Sequence, residues 1–255
     1  MNEWLENLWQ SVQLWALDIA SEFHLNFIKG NRWQMLVKGL GNTMIITFFA
    51  LIIGIVLGVL VAVVRSTYDT NGEAMKRRGG FGYGLLKFFN GICNVYLTVI
   101  RGTPMVVQLM IMYFVVLVSI ENSVTVAVIA FGINSGAYVA EIFRSGIMAI
   151  DKGQFEAGRS LGFNYIQTMW LIVVPQMFKV VLPTLCNEFI VLIKETSIAG
   201  YVGIMDLTKA GEIIRGRTFS AFMPLIVVAI VYLAIVMLLT WLVGLLERRL
   251  RKSER

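Results

Sequence analysis

The 255-residue sequence is poor in the residues on which most catalytic and metal sites depend. It contains two cysteines, one histidine (His24) and only 15% charged residues. A soluble domain usually carries about 25% charged residues, so the composition excludes an ordinary soluble domain. Cys93 and Cys186 lie far apart in apolar stretches, which is typical of neither a disulfide framework nor a CxxC site. We therefore expect no metal site and no histidine-based catalysis.

The common nucleotide-binding and hydrolase motifs are also missing. No segment fits GxxxxGKS or GxxxxGKT, and the nearest one, residues 153–160, has Arg159 in place of the phosphate-binding lysine. The sequence contains no GxSxG elbow and no HExxH pair. Its basic residues are not interleaved with aromatic ones, as they are on nucleic-acid-binding surfaces. We expect a non-enzymatic chain that binds no cofactor, no ATP and no nucleic acid.

Long apolar runs are what the sequence does contain. Hydrophobic residues make up 57% of the chain, and the mean hydropathy is +0.74. A helix needs about 20 mostly apolar residues to cross a bilayer. Five runs meet this requirement, at about 43–64, 102–120, 123–143, 166–193 and 219–246. The sequence therefore predicts an all-α integral membrane protein with five transmembrane helices in one domain, residues 39–250.

Two features bear on how these helices are shaped and packed. The apolar stretch 88–100 would make the second helix too long for a straight span, so we expect a break near Pro104, which lacks a backbone donor. Gly54 and Gly58 have GxxxG spacing. That spacing indicates either close helix packing or chance, since glycine is common in membrane helices.

The distribution of basic residues predicts the orientation. Of the 22 lysines and arginines, 13 fall in the segment 65–87, in the loop around 150 and at the C-terminus, against 7 on the opposite side. The positive-inside rule then places the N-terminus outside and the C-terminus inside. Residues 66–84 are rich in glycine and charge and predict a flexible loop, and residues 251–255 a basic cytoplasmic tail.

The N-terminal segment, residues 1–38, is predicted to be external or interfacial. Glu3 and Glu6 stand where a signal peptide would have lysines. Apolar residues, including Trp4, Trp9 and Trp15, recur at helical spacing. They fit either a helix in the outer membrane interface or ordinary packing against another helix.

A short helix is predicted at 152–161, between the third and fourth spans. Asp151 and Gln154 have the spacing of a capping box, and Gly162 is a suitable helix stop. Asn164 and Gln167 repeat the capping pattern and open the fourth span. The helix cannot span the membrane, so it either lies on lipid headgroups or docks a soluble partner.

Several motifs resemble those of one transporter family. Glu156-Ala157, Gly162, Ile172 and Pro175 are spaced as in the EAA motif of ABC-importer permeases, with departures at Gly158 and Val174. Over roughly residues 40–246, further segments resemble the polar amino-acid branch of that family: Arg101-Gly102-Thr103-Pro104, Val107-Gln108-Leu109, Gly136 to Arg144, Gly153-Gln154, Pro175-Gln176 and Lys194-Glu195-Thr196-Ser197.

The resemblance implies a multi-pass permease of a bacterial-type inner membrane. Its partners would be a cytoplasmic ABC ATPase dimer that binds ATP and Mg²⁺, a second permease in a homodimer or heterodimer, an external substrate-binding protein and an amino-acid substrate. The helix at 152–161 would be the cytoplasmic coupling helix that seats on the ATPase. The implied coupling residues are Gln154, Glu156, Ala157, Gly158, Arg159 and Gly162.

Ionisable groups at membrane depth are costly, so each is a candidate site. Glu141 and Arg144 lie three residues apart and can form an ion pair. Arg101 either anchors its helix by extending to the interface, which we favour, or contacts substrate. The structural or gating candidates are Arg101, Gly102, Thr103, Pro104, Glu141, Arg144, Pro175 and Pro183.

The candidates for the substrate path follow Pro183. Glu188 and Glu195 are two helical turns apart and would face the same way on a continuous helix. Broken helices and intramembrane polar groups form the sites of many transporters, and two carboxylates would suit an ammonium or guanidinium group. Alternatively, Lys194 neutralises Glu195 and only Glu188 faces the path. The set is Asn187, Glu188, Glu195, Thr196 and Ser197.

Other functions remain open at this point. The permease could serve another small solute, or the chain could be a self-contained secondary carrier or channel. Five spans without an inverted repeat argue against a carrier.

Overall fold

The computed structural model describes residues 2–252, so residues 253–255 of the predicted basic tail lie outside the described part. Every regular element within 2–252 is helical. The helices are α1 (Asn2–Phe23), α2 (Trp33–Arg78), α3 (Phe81–Gly102), α4 (Met105–Ile111), α5 (Ser123–Met148), α6 (Lys152–Ser160), α7 (Tyr165–Thr168), α8 (Val174–Glu195), α9 (Leu207–Thr218) and α10 (Phe222–Lys252).

Short π and 3₁₀ turns join several of these helices. A π turn, Met112–Val116, extends α4; another, Met169–Val173, joins α7 to α8. A 3₁₀ segment, Thr196–Val202, follows α8. Single π turns inserted in α-helices are frequent at functional sites.

Five helical stretches are long and apolar enough to cross a membrane, which confirms the predicted fold class. They are Trp33–Arg77, Phe81–Gly102, Ser123–Met148, Tyr165–Val202 and Phe222–Leu250. Which side the termini face stays a prediction.

The second span is corrected by the structure. The long apolar helix is α3, and the predicted run 102–120 holds instead a break followed by the shorter apolar helix Met105–Val116. Thr103 and Pro104 are extended, with ψ of 146° and 135°, so the expected break is present. Proline disfavours the helical conformation of the residue before it, and a run that begins at this break cannot form one continuous span.

The predicted flexible loop at 66–84 is also corrected. Helix α2 continues to Arg78, and only Gly79 and Gly80, both with positive φ, separate it from α3. The helical extension is held in place because Arg144 of α5 binds Asp69 at 3.0 Å. This contact joins residues 75 positions apart, so the local composition did not indicate it.

Helices α2 and α5 pack closely and in the same direction. A Cβ at Gly54 would lie 2.9 Å from Ser135 Oγ, and one at Gly58 would lie 2.5 Å from Val139 Cγ1. Glycine is required where two helix backbones approach this closely. The GxxxG spacing therefore marks helix packing and is not a chance occurrence.

The other spans pack around this pair. Helices α3 and α4 run in series against α2 in the opposite direction, since Leu97 packs near Val61, and Leu109 near Ile46. Helix α8 runs antiparallel to α5, because a Cβ at Gly146 would meet Val181 while Ser135 binds Glu188. The end of α2 at Asp69 and the end of α5 thus lie on the same side as α6, and Trp33 lies on the opposite side.

Candidate functional site

Helix α6 is bounded by the caps that the sequence predicts. Asp151 Oδ1 accepts from Gly153 N at 2.6 Å, and Gly162 has the positive φ of +82° expected of a helix stop. The Asn164 and Gln167 capping box is complete, with both hydrogen bonds at 2.9 Å. Fixed at each end in this way, α6 forms a short rigid bridge between α5 and the fourth span.

The first predicted capping box is not formed, because the Asp151 side chain caps α6 through Gly153 N and not through Gln154 N. The Gln154 side chain does not return to Asp151; its Oε1 accepts from Gln176 Nε2 at 3.2 Å instead. Gln176 also donates to the Ile172 carbonyl at 3.0 Å. Gln154 therefore ties α6 to the first turn of α8, where Pro175 lies, and a movement of α6 would be transmitted to that span.

The two faces of α6 differ. Gly158 is buried, and a Cβ there would lie 2.7 Å from both Cγ2 and Oγ1 of Thr168. Glu156, Ala157 and Arg159 are exposed. The departure from the EAA pattern at Gly158 thus has a structural cause, because the backbone of α6 contacts the side chain of Thr168 directly.

A chain of four charged residues joins α2, α3 and α5, from Asp69 on the α6 side of α2 to Arg101 in the last turn of α3. Arg144 Nη2 lies 3.0 Å from Asp69 Oδ2, Glu141 Oε2 lies 3.8 Å from Arg144 Nη1, and Glu141 Oε1 lies 3.5 Å from Arg101 Nη1. The predicted Glu141–Arg144 pair is therefore the longest of the three contacts. Arg101, half exposed, pairs with Glu141 and so also joins α3 to α5.

Sequence reasoning missed two members of this region. Asp69 was assigned to a flexible loop, and its position could be found only from the tertiary contact. Arg65 donates to Asn94, and also to Asn90 at 3.4 Å, which links α2 to α3. A charged residue at the end of a long apolar run was the available signal for Arg65.

The break after α3 is stabilised by Gln108 of α4. Its Nε2 donates to the carbonyls of Ile100 and Thr103 at 2.7 and 3.0 Å, and its Oε1 accepts from Asn134 Nδ2 at 3.0 Å. The helix break frees backbone carbonyls, and groups at membrane depth must be satisfied internally. Gln108 does this and joins the break to α5. Gly102 ends α3, next to the break.

Glu188 of α8 is hydrogen-bonded to Ser135 of α5. The Ser135 hydroxyl, which is fully buried, donates to Glu188 Oε1 at 2.8 Å. Asn187 beside it is exposed, and Pro183 lies inside α8 one turn earlier. Ser135 is a third residue that sequence reasoning missed; its place in a polar pair, Asn134-Ser135, within an apolar span was the signal.

The remaining candidates lie where α8 ends. Glu195 is the last residue of α8, about 10 Å along the helix axis from Glu188, and Ser197 is half-buried. Thr196 is fully buried, and its hydroxyl donates to the Ile193 carbonyl at 2.7 Å. Lys194 and Glu195 form no direct ion pair in the described part of the chain.

Asp206 fixes helix α9 beside this end of α8. Its carboxylate is fully buried and caps α9 by accepting from the backbone N–H groups of Thr208 and Lys209 at 2.9 and 3.0 Å. Burial raises the pKa of the Asp206 carboxyl, while these hydrogen bonds act in the opposite direction. The Asp206 carbonyl would lie 2.5 Å from a Cβ at Gly39, so α9 is pressed against the start of α2.

Together these features are typical of a membrane transport protein. Polar groups face one another within the spans, and a rigid, exposed helix projects at one end. Residues 80–252 match the family described as binding-protein-dependent transport system inner membrane component. The match covers more than half of the chain.

The chain belongs to this family of inner-membrane transport proteins, which confirms the resemblance to ABC-importer permeases. A relative from Rickettsia typhi, named for a glutamine transport system permease, is 36% identical over 84% of this chain and 92% of its own length. The arginine transport system permease protein of Bacillus subtilis is 34% identical over 86% of this chain and 94% of its own.

Solved structures show the same fold. A crystal structure of an amino acid ABC transporter with histidines matches with a TM-score of 0.74 and 35% identity, over 88% of this chain and 98% of that chain. The methionine transporter MetNI in an inward-facing conformation matches with a TM-score of 0.71. At 19% identity, MetNI supports the fold alone. The chain is a multi-pass protein of the inner membrane.

Proposed function

We propose that this chain is the permease subunit of an ATP-driven ABC importer for polar amino acids. The relatives named for glutamine and arginine transport, and the amino acid transporter of known structure, support this substrate class. ATP binding and hydrolysis belong to a separate ATPase dimer. An external substrate-binding protein delivers the amino acid, and a second permease copy completes the path.

The observation that carries the proposal is the geometry of α6. Both of its ends are capped, its buried face is fixed on Thr168 through Gly158, and its outer face presents Glu156 and Arg159. Because α6 is fixed at both ends and along one face, a displacement of α6 is transferred to the spans that it joins. We assign to it the role of coupling helix, seated on the cytoplasmic ATPase.

Gln154 and the charged chain supply a route for the motion. Closure of the ATPase dimer would displace α6, and the contact between Gln154 and Gln176 passes that displacement to α8. The pairs from Asp69 through Arg144 and Glu141 to Arg101 hold α2, α3 and α5 together. These spans then move as one body against α8, which opens the path alternately to the two sides.

Glu188 is the proposed substrate contact within the spans. Its carboxylate can accept from the ammonium group of an amino acid, and Ser135 orients it through the hydrogen bond to Oε1. Glu195 lies two turns further along α8, and Ser197 follows in the 3₁₀ segment, toward the side where the binding protein would dock. With the N-terminus outside, that side is external.

A charge reversal on α6 tests the coupling role. Glu156→Lys should lower ATP hydrolysis by the reconstituted permease and ATPase complex at least about tenfold, because a lost charged contact at a docking surface costs about 1.4 kcal/mol or more. Glu73→Lys is the matched control, because Glu73 is an exposed glutamate of α2 on the same side of the spans as α6. Equal hydrolysis by the two variants would contradict the proposal.

The same reconstituted permease also tests the alternative that the chain is a self-contained carrier. Amino-acid uptake by vesicles that contain the permease without the ATPase would show a self-contained carrier. We expect uptake only when ATPase, binding protein and ATP are all present.

A further inference from the structure

Helix α1 presents an apolar stripe that remains exposed in the described chain. Trp4, Trp9 and Trp15 are 67%, 64% and 67% exposed, and Leu8 and Val12 about half exposed. These positions recur at three- to five-residue spacing, so they share one side of the helix. The stripe lies outside the matched segment 80–252, and the proposed transport function does not use it.

Helix α1 is not a sixth span. It is absent from the helices apolar enough to cross a membrane, and the side away from the stripe carries the polar, exposed residues Asn7, Gln10 and Gln13. No lysine or arginine occurs before Lys29. The helix is therefore amphipathic, and without basic residues it would not be attracted to an anionic surface.

The base of α1 is fixed on the folded domain. Asn26 and Phe27 are buried, and Asn26 Oδ1 accepts from the Thr218 hydroxyl of α9 at 2.6 Å. Gly30 and Asn31, with φ of 71° and 53°, then redirect the chain before the first span begins at Trp33. Helix α1 thus leaves the domain at the end of a membrane span, which is the level of the lipid headgroups.

We propose that α1 lies in the membrane interface on the side opposite α6, with the stripe inserted toward the acyl chains. The exposed apolar side chains of α2 nearest this end, Trp33 and Val37, are 46% and 59% exposed, so both helices present apolar side chains near this end of the first span. Tryptophan favours the headgroup region, where its ring is buried and its N–H stays hydrated.

A soluble protein is the less favoured occupant of this stripe. A partner that dissociates during each transport cycle would leave three tryptophans in water, and contiguous apolar patches of this kind are rare on exposed surfaces. Because α1 lacks basic residues, its binding to lipid depends on apolar insertion and not on charge.

Contact with lipid can be measured at two positions on opposite sides of α1. In a Cys93→Ser/Cys186→Ser background, bimane is attached to Leu8→Cys or to Gln10→Cys, which lie about 160° apart around the helix. The full-length permease is reconstituted into vesicles of phosphatidylcholine with or without brominated acyl chains. Gln10 is exposed and serves as the matched control.

We expect brominated lipid to quench the label at position 8 at least about twofold more than the label at position 10, and aqueous iodide to show the reverse order. Equal quenching by iodide at both positions would overturn the proposal, because α1 would then be free in water. Shielding of position 8 from both quenchers would also overturn it and would indicate a protein partner or a second copy. If Leu8→Cys does not purify as a folded protein, Val12→Cys reports on the same stripe.

Discussion

Replacing Gly158 with alanine should loosen the junction between α6 and α7, although alanine is the better helix former. The added Cβ would lie 2.7 Å from Cγ2 and Oγ1 of Thr168 and 3.2 Å from its Cβ. Thr168 cannot turn away freely, because it is β-branched and its hydroxyl donates to the Asn164 carbonyl at 3.0 Å. The clash therefore has to be relieved by a backbone shift of α6.

The expected change in the local free energy of opening of α6 is the balance of two opposing contributions. Overpacking a close contact costs about 1–3 kcal/mol, and we take the upper half of that range because two atoms clash with a fixed side chain. Alanine in place of glycine returns about 1 kcal/mol of helix propensity. The net loss is about 1–2 kcal/mol in the local free energy of opening, which corresponds to about 5- to 30-fold faster amide exchange in α6.

Hydrogen exchange of the purified permease measures this effect directly. Gly216→Ala is the control, because Gly216 lies in α9 with nothing within 4 Å of its Cβ position, and we expect exchange there to stay the same or slow down. Thr168→Ala removes two of the clashing atoms, so the double variant should exchange more slowly than the sum of the single effects predicts. Unchanged or slower exchange in α6 of Gly158→Ala, or strict additivity, would refute the close-contact argument.

Two further substitutions test the spans. Gly58→Leu should abolish folding of the permease, because a Cβ alone would lie 2.5 Å from Val139 Cγ1. Gly91→Leu is the control and should leave the yield of monodisperse protein unchanged, since nothing lies within 4 Å of a Cβ at Gly91. Similar yields of the two variants would refute the packing role of the GxxxG spacing. Glu188→Gln should lower substrate-dependent uptake at least about tenfold, because it removes one charged hydrogen bond to the substrate. Assembly with the ATPase should persist. Glu121→Gln, in the exposed turn before α5, is its control, and equal uptake by both would remove Glu188 from the path.

The local signals in the sequence were sufficient for the elements that depend on neighbouring residues. Apolar runs long enough to cross a bilayer gave five spans. Asp151, Gly162 and Asn164 gave the limits of α6, because caps act on backbone groups within one turn. Pro104 gave the break after α3, since its effect on the preceding residue is steric and local.

The same local signals were misleading where a distant contact decides the structure. Residues 66–78 have a loop composition, yet they are helical, and Asp69 of this segment is paired with the distant Arg144. The run 102–120 lacks charge, yet the long span lies before it, and Gln108 joins the break to α5 through Asn134.

Hydropathy, caps and prolines are properties of adjacent residues, so the sequence by itself determined the fold class, the number of spans and the short helix that projects from them. Which charges pair, which glycines are needed for close packing and which side chain supports Glu188 depend on residues brought together from separate helices. Only the tertiary structure decided these points, because a contact such as that of Ser135 with Glu188 joins positions 53 residues apart, and the local pattern of one helix does not indicate which residue of another helix it meets.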